Sequence, residues 1–236
     1  LKDTYYLPLI ADKFEYEPEI DYYLDSLNKK CNYSFIDCGA NYGYWSIMVS
    51  CYSYIKEIFV IEPDKLNISF LKLNLSDNFV QVNLFQNAVY TIDEASVNFG
   101  GSANHTDLHI TENKSDNFVQ TISLETLISK ANKKNKIIIK LDIEGMELDV
   151  LKKSEFILNQ IDTLIYEDHG SDMSHKVTQY LLSRKMIIFY FDGKTFIHIL
   201  NTKQLDYIKK QKTKGYNFFS IPSEKVEKLI SNKENF

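Results

Sequence analysis

Along the first half of the chain, apolar positions switch between the spacing of strands and the spacing of helices. An apolar run ends at Asp37, a helical repeat covers 44–51, a second apolar run covers 58–61, and another helical repeat covers 65–75. A third strand is predicted at 80–89. The order strand, helix, strand, helix, strand predicts a parallel sheet with right-handed crossovers.

The second half continues the alternation. Its predicted elements are a helix at 122–130, a strand at 137–143, a helix at 148–153, a strand at 163–166, a helix at 174–184, and strands at 186–191, 195–200 and 217–221. The strand at 137–143 opens with three isoleucines, which is typical of a central parallel strand. Asp192-Gly193 predicts a hairpin turn and therefore an antiparallel last strand. The pattern as a whole predicts an α/β, doubly wound, mostly parallel sheet.

We expect one domain for the whole chain, 1–236, because 236 residues with 44% hydrophobic content support one substantial core. Residues 1–30 are interpreted as a helical extension, 33–200 as the core and 201–236 as a C-terminal extension. No repeat or low-complexity segment divides the chain.

Polar side chains stand at the end of each predicted parallel strand. They are Asp37, Glu62, Asn87, Asp142 and the run Glu167-Asp168-His169. Ligands of open α/β sheets bind outside the carboxyl ends of the strands. We therefore expect these side chains to lie along one rim and to form the functional site.

The turn after the first strand predicts the kind of ligand. Gly39 and Gly43 allow positive φ and a close approach of the backbone to a ligand, and Asn41 also tolerates such a conformation. The spacing departs from the G-x-G-x-x-G of dinucleotide sites, which disfavours a dehydrogenase. An acid at position 37 favours an amine-bearing cofactor, and the Glu62 carboxylate suits two ribose hydroxyls.

Charge and cysteine content limit the partners and the compartment. The net charge is -5 and the pI is about 5.6, so no basic field favours nucleic acid. Three cysteines without a C-x-x-C pattern fit a reducing compartment, and we expect a cytoplasmic protein. No apolar run approaches the ~20 residues of a membrane helix, and no signal peptide precedes the first strand.

The stretch 95–119 is predicted to be a hairpin followed by a long exposed loop. Its histidines, His105 and His109, are candidate metal ligands, but no cysteine or second cluster accompanies them, so we interpret them as solvated loop residues. No metal is assigned.

Four blocks resemble the ordered motifs of the FkbM-type S-adenosylmethionine-dependent methyltransferases, over roughly residues 33–200. These blocks are Asp37-Cys38-Gly39-Ala40-Asn41-Tyr42-Gly43, Glu62-Pro63-Asp64, Asn87-Ala88-Val89, and the segment 139–151, which reads I-K-L-D-I-E-G-M-E-L-D-V-L. The last block is the most specific. Asn41 replaces the glycine of the general methyltransferase motif and matches the narrower family.

The resemblance implies a class I methyltransferase fold, S-adenosylmethionine as the cofactor, and methyl transfer to a hydroxyl of a sugar or glycan precursor. It places the cofactor's amino-acid part over Gly39, Ala40, Asn41 and Gly43, its amine near Asp37, its ribose at Glu62-Pro63 and its adenine beside Asn87 and Ala88. Asp142 is also expected among the cofactor-binding residues.

Asp142 is the favoured residue for positioning or deprotonating the acceptor. Glu144 and His169 are catalytic alternatives, although Glu144 could instead cap a helix that begins at Gly145. Asp142, Glu144, Asp168 and His169 could also gather a divalent ion. N-methylation and a catalytically degenerate scaffold module remain open, and the acceptor is expected to be a small molecule or glycan.

Overall fold

The computed structural model describes residues 16–100, 109–110, 118–212 and 214–226. The α-helices are α1 Pro18–Ser26, α2 Tyr44–Ser50, α3 Lys65–Asp77, α4 Leu124–Lys130, α5 Glu147–Lys153, α6 Lys176–Ser183 and α7 Lys203–Ile208, with a 3₁₀ helix at Glu155–Gln160. The strands are β1 Tyr33–Cys38, β2 Ile55–Ile61, β3 Asn83–Phe85, β4 Ala88–Val89, β5 Ser96–Gly100, β6 His109–Ile110, β7 Phe118–Ile122, β8 Lys136–Leu141, β9 Thr163–His169, β10 Met186–Phe191, β11 Phe196–Ile199 and β12 Gly215–Pro222.

Eight of these strands form the main sheet, in the order β11-β10-β12-β9-β8-β1-β2-β3. The pairs from β9 to β3 are parallel, as predicted. Strand β12 is antiparallel to both β9 and β10, and β11 is antiparallel to β10. The fold is therefore an α/β, mostly parallel sheet, which confirms the fold class.

The antiparallel strand inside the sheet is β12, and the predicted hairpin partner β11 lies at the edge. The central residues of β12, Phe218 and Phe219, are fully buried and pack on opposite faces of the sheet. The predicted boundary at residue 200 therefore assigns β12, a strand inside the main sheet, to the C-terminal extension instead of the core. Local sequence does not indicate where β12 lies in the sheet, because β12 pairs with β9 across a long stretch of chain.

Two helical layers cover the sheet. Ile20, Trp45 and Leu71 of α1, α2 and α3 pack on one face, whereas Leu127 of α4 and Leu181 of α6 pack on the other. Strand residues alternate between these faces, so Phe35 and Ile138 join the first layer and Ile36 and Ile139 join the second. Within the described ranges no helix has the length and apolarity needed to cross a lipid bilayer.

One predicted strand in the middle of the chain was wrong, and one predicted helix is confirmed with a later start. The segment 80–89, predicted as one strand, contains β3 of the main sheet and β4 of a second sheet with the order β4-β7-β5-β6. The helix predicted from residue 122 begins at Leu124, where Ser123 caps it by accepting from the Thr126 N–H, and the preceding residues form β7. Strand β7 was not predicted, because its polar residues hide the alternation of exposed and buried positions that the structure shows. The hairpin predicted near residue 97 is confirmed by the antiparallel β5–β6 and β5–β7 pairs.

Candidate active site at the strand tips

The carboxyl ends of β2, β1 and β8 lie side by side. Cys38 is level with Ile61 on one side and with Leu141 on the other. The Gly39 N–H donates to the Ile61 carbonyl at 2.9 Å, and the Asp142 N–H donates to the Cys38 carbonyl at 3.1 Å. Glu62 and Asp142 therefore flank the glycine turn, about 10 Å apart across one intervening strand. The predicted rim of strand tips is confirmed for these three strands.

The turn has the left-handed backbone that its composition predicted. The φ angles are +83° at Gly39, +51° at Asn41 and +87° at Gly43. A Cβ on Gly39 would lie 1.8 Å from the Asp142 carbonyl oxygen, and one on Gly43 would lie 2.3 Å from Leu71 Cδ1. Backbone packing thus requires glycine at position 39 independently of any ligand, whereas at Gly43 the positive φ is the stronger constraint, because the Leu71 side chain can move.

Asp37 lies beneath this turn. Its buried carboxylate accepts a hydrogen bond from Ser46 Oγ of α2 at 2.6 Å, and burial raises its pKa. The expected contact between Asp37 and the cofactor's amine stays a prediction.

Glu62 is held by the turn that it faces. Its Oε2 accepts from the Asn41 N–H at 2.8 Å, while its Oε1 accepts from the Asp64 N–H at 2.9 Å and from Asn67 Nδ2 at 3.3 Å. Burial raises the pKa of Glu62 to about 7. Since each carboxylate oxygen accepts about two hydrogen bonds, Oε2 retains the capacity to accept one more.

The hydrogen-bond acceptors at the turn fit an adenosyl cofactor. Glu62 Oε2 can accept a hydrogen bond from a hydroxyl group. Asn41 Oδ1 is a buried acceptor without a hydrogen-bond partner among the described residues. Pro63, directly after Glu62, is also buried.

Asn87 lies between the two sheets, and Ala88 begins β4 of the second sheet. Asn87 Nδ2 donates to the carbonyls of Gln120 and Thr121 at 3.3 and 3.4 Å, and Ala88 is buried opposite Thr121 of β7. Strand β7 therefore positions both residues. Their expected place beside the adenine stays a prediction.

Asp142 belongs to a group of charged side chains that we call the rim cluster: Lys140, Asp142, Glu144, Glu167 and His169. Lys140 Nζ donates to Asp142 Oδ2 at 2.8 Å. His169 Nε2 lies 3.2 Å from Glu167 Oε2 and 3.5 Å from Glu144 Oε2. The cluster ranges from a nearly buried Lys140 side chain, 5% exposed, through Asp142 at 19% to His169 at 42%.

The pKa values in the rim cluster are shifted by these contacts. Burial would raise the pKa of Asp142, but the Lys140 ammonium holds it below the ordinary value. Burial and the Asp142 charge raise the pKa of Glu167 to about 9. The hydrogen bond to Glu144 raises the pKa of His169 to about 9. These shifts favour the charged forms of Asp142 and His169. The catalytic role of His169 stays a prediction.

Glu144 does not cap a helix, and that alternative was wrong. Helix α5 begins at Glu147, whose Oε1 accepts from the Ile143 N–H at 2.9 Å and whose Oε2 accepts from the Gly145 N–H at 3.0 Å. Glu147 thus closes the turn, while Glu144, at φ +56°, lies beside His169.

Asp168 lies on the other face of the sheet from Glu167 and His169, because successive strand residues alternate. Its carboxylate pairs with Lys209, whose Nζ lies 3.2 Å from His175 Nδ1, and His175 Nε2 lies 3.1 Å from Asp206. We call Asp168, His175 and Lys209 the enclosed cluster, and the Asp206 side chain, 53% exposed, lies at its edge. Asp168 therefore does not join the metal set considered above. In the described ranges no three His, Cys, Asp or Glu side chains are grouped as metal ligands. The loop histidine His105 and the His109 side chain lie outside what the structure describes.

Several neighbours of the rim were missed by sequence reasoning. Glu17 accepts from Trp45 Nε1 and from Asn217 Nδ2, which ties the segment before α1 to β12. A Cβ on Gly215 would lie 1.4 Å from Glu167 Oε1, so β12 also shapes the rim. The signal that could have been used is Lys140, a charged residue inside an apolar strand.

The sheet order, the left-handed glycine turn and the carboxylates on the strand tips define a class I S-adenosylmethionine-dependent methyltransferase. Residues 37–201 match the family model described as "Methyltransferase FkbM domain". The chain belongs to the FkbM methyltransferase family. A search of curated proteins found no match.

The chain is similar to solved structures at low sequence identity. An rRNA methylase from Streptococcus thermophilus is 12% identical with a TM-score of 0.51, over 87% of this chain and 94% of that one. An FkbM methyltransferase from Methylobacillus flagellatus KT is 17% identical with a TM-score of 0.49, over 80% of this chain but 43% of that one. A putative methyltransferase from Streptococcus mutans, solved in complex with SAH, is 10% identical with a TM-score of 0.49, over 88% and 99%.

Proposed function

We propose that this methyltransferase transfers a methyl group to a hydroxyl of a sugar or glycan precursor. Asp142 positions or deprotonates that hydroxyl. We further propose that the acceptor is a small molecule or glycan and not a nucleic acid, which the net charge of -5 supports.

The observation that carries this proposal is the placement of the Asp142 carboxylate. It stands on the tip of β8, next to the glycine turn, with one oxygen bound to Lys140 and one-fifth of the side chain exposed. An ionised, partly exposed carboxylate accepts a hydrogen bond from a neutral hydroxyl.

Glu62, the glycine turn and Asp142 each have a separate proposed role. Bound S-adenosylmethionine supplies the electrophilic methyl group. Glu62 accepts from the ribose, the turn from Gly39 to Gly43 supports the amino-acid part, and Asp142 orients the acceptor oxygen for in-line attack. Asp142 takes the hydroxyl proton as a lone pair of that oxygen forms the bond to the methyl carbon, and the carbon–sulfur bond would break to release S-adenosylhomocysteine.

Two further proposals follow. We treat 1–236 as one methyltransferase domain that includes β12, supported by the burial of that strand in the main sheet. We place the protein in the cytoplasm, supported by its three unpaired cysteines. No contact among the described residues favours the scaffold alternative.

An acceptor panel tests the proposed function. The chain is incubated with S-adenosylmethionine and either free sugars, nucleotide-linked sugars, a small primary amine or an RNA oligonucleotide, and release of S-adenosylhomocysteine is measured. We expect release with a sugar and an O-methyl signal in the product NMR spectrum. Release only with the amine or RNA, or none with any hydroxyl compound, contradicts the proposal.

A further inference from the structure

Lys140 occupies an unusual position for a charged residue. It stands in β8, two residues after Ile138, on the face that Trp45 of α2 helps to cover. Its side chain is 5% exposed. A buried ammonium is costly unless it is paired, so its partners indicate why the chain retains it.

Carboxylates surround Lys140 on several sides, but they are not equivalent. Asp37 on β1 is satisfied by Ser46, and Glu17, before α1, is satisfied by Trp45 and Asn217. Asp142 is the carboxylate to which Lys140 Nζ hydrogen-bonds, at 2.8 Å. Lys140 thus holds Asp142 Oδ2 in place, while Glu167 also hydrogen-bonds to the Asp142 carboxylate from the neighbouring strand.

We propose that Lys140 is a positioning residue that keeps the Asp142 carboxylate ionised and turned toward the acceptor. This inference rests on the proposed role of Asp142. Burial would lower the pKa of Lys140, but the Asp142, Glu17 and Asp37 carboxylates raise it well above its ordinary value. The other charged groups that face this pair are Glu144, Glu167 and His169.

A direct test does not need the acceptor. NMR titration of the Asp142 carboxyl carbon in the full chain gives its pKa, which we expect below the ordinary value of about 3.9. In Lys140→Met, which keeps length and removes charge, we expect a rise of about 1–3 units. In Lys140→Arg, which keeps the charge, we expect a smaller change. If Lys140→Met does not fold, a wild-type or Lys140→Arg value at or above about 3.9 still overturns the proposal.

The kinetic test separates positioning from mere structural support. With an acceptor from the panel, Lys140→Met should move the acid limb of kcat/KM upward by the same 1–3 units as the carboxyl pKa. In an Asp142→Asn background, Lys140→Met should change the residual rate little, because Lys140 acts through Asp142. Independent, multiplicative losses, or an unmoved acid limb, contradict the inference. The matched control is Lys29→Met, since Lys29 forms an exposed pair with Asp25 before β1.

These outcomes distinguish the two proposals. If Asp142→Asn retains full activity, the proposed role of Asp142 fails, whatever Lys140 does. If Asp142→Asn is inactive and Lys140→Met keeps the wild-type pH profile, this inference alone fails.

Discussion

The rim cluster and the enclosed cluster each contain a lysine–aspartate ion pair, and they lie on opposite faces of the sheet at the end of β9. Each is built around a buried lysine and an aspartate, Lys140 with Asp142 and Lys209 with Asp168. They differ in access, because the Lys209 and Asp168 side chains are 0% and 3% exposed, whereas Asp142 is 19% exposed. The comparison teaches that a buried ion pair indicates a site only where one partner also faces open space. Closed pairs satisfy their charges internally and support the fold.

The largest expected effect is on catalysis. Asp142→Asn should lower methyl transfer by about 10²- to 10⁴-fold, because it removes the proposed proton acceptor while keeping the shape of the side chain. Affinity for S-adenosylhomocysteine, measured by calorimetry, should persist. Lost binding would make Asp142 a cofactor ligand, and undiminished activity would remove it from the mechanism.

The matching change in the enclosed cluster should affect stability instead. Asp168→Asn leaves the buried Lys209 without its carboxylate and should lower the free energy of unfolding by about 3–5 kcal/mol, measured by urea denaturation. The folded enzyme should keep its kcat. A selective loss of kcat without loss of stability would show that the two clusters are coupled across β9.

The glycine turn offers a third test, on the backbone that supports the rim. Gly39→Ala combines a left-handed φ with a 1.8 Å approach to the Asp142 carbonyl, so we expect a loss of roughly 2–5 kcal/mol and weaker cofactor binding. The control is Gly193→Ala, whose φ is also positive but whose Cβ would meet nothing within 4 Å. It should cost about 1–2 kcal/mol, measured by thermal unfolding. Equal losses would mean that the Asp142 backbone moves aside easily.

The smallest expected effect is a pH dependence from the rim. The pKa of His169 is raised to about 9, above the ordinary ~6.5, so its contribution to stability is complete below pH ~6.5 and is lost as the pH rises through about 9. Glu167, with a pKa raised to about 9, also binds its proton more tightly when folded, so stability falls with pH in the same direction. Urea unfolding between pH 6 and about 9.5 should show the decline. His169→Gln should flatten it, and an identical slope in that variant would contradict the assignment.

A good part of the site was predictable because it depends on local patterns. The glycine turn, its left-handed Asn41 and the polar residue at the end of each predicted parallel strand are short-range features, and parallel strands place their tips at one edge. The alternation of strand residues even separates Asp168 from Glu167 and His169, although the metal interpretation grouped Asp168 with His169. The metal interpretation treated Asp168 and His169 as neighbours in space, whereas consecutive residues of β9 point to opposite faces of the sheet.

The sequence by itself therefore determined the α/β order, the turn and the family, since each is encoded in residues close together along the chain. Tertiary structure alone decided that β12 enters the sheet beside β9, that Glu17 meets Asn217, and that Lys140 binds Asp142 in preference to Asp37. These outcomes depend on pairings across up to 200 positions and on competition among carboxylates for one ammonium. Local periodicity carries no information about which of several distant partners packs closest.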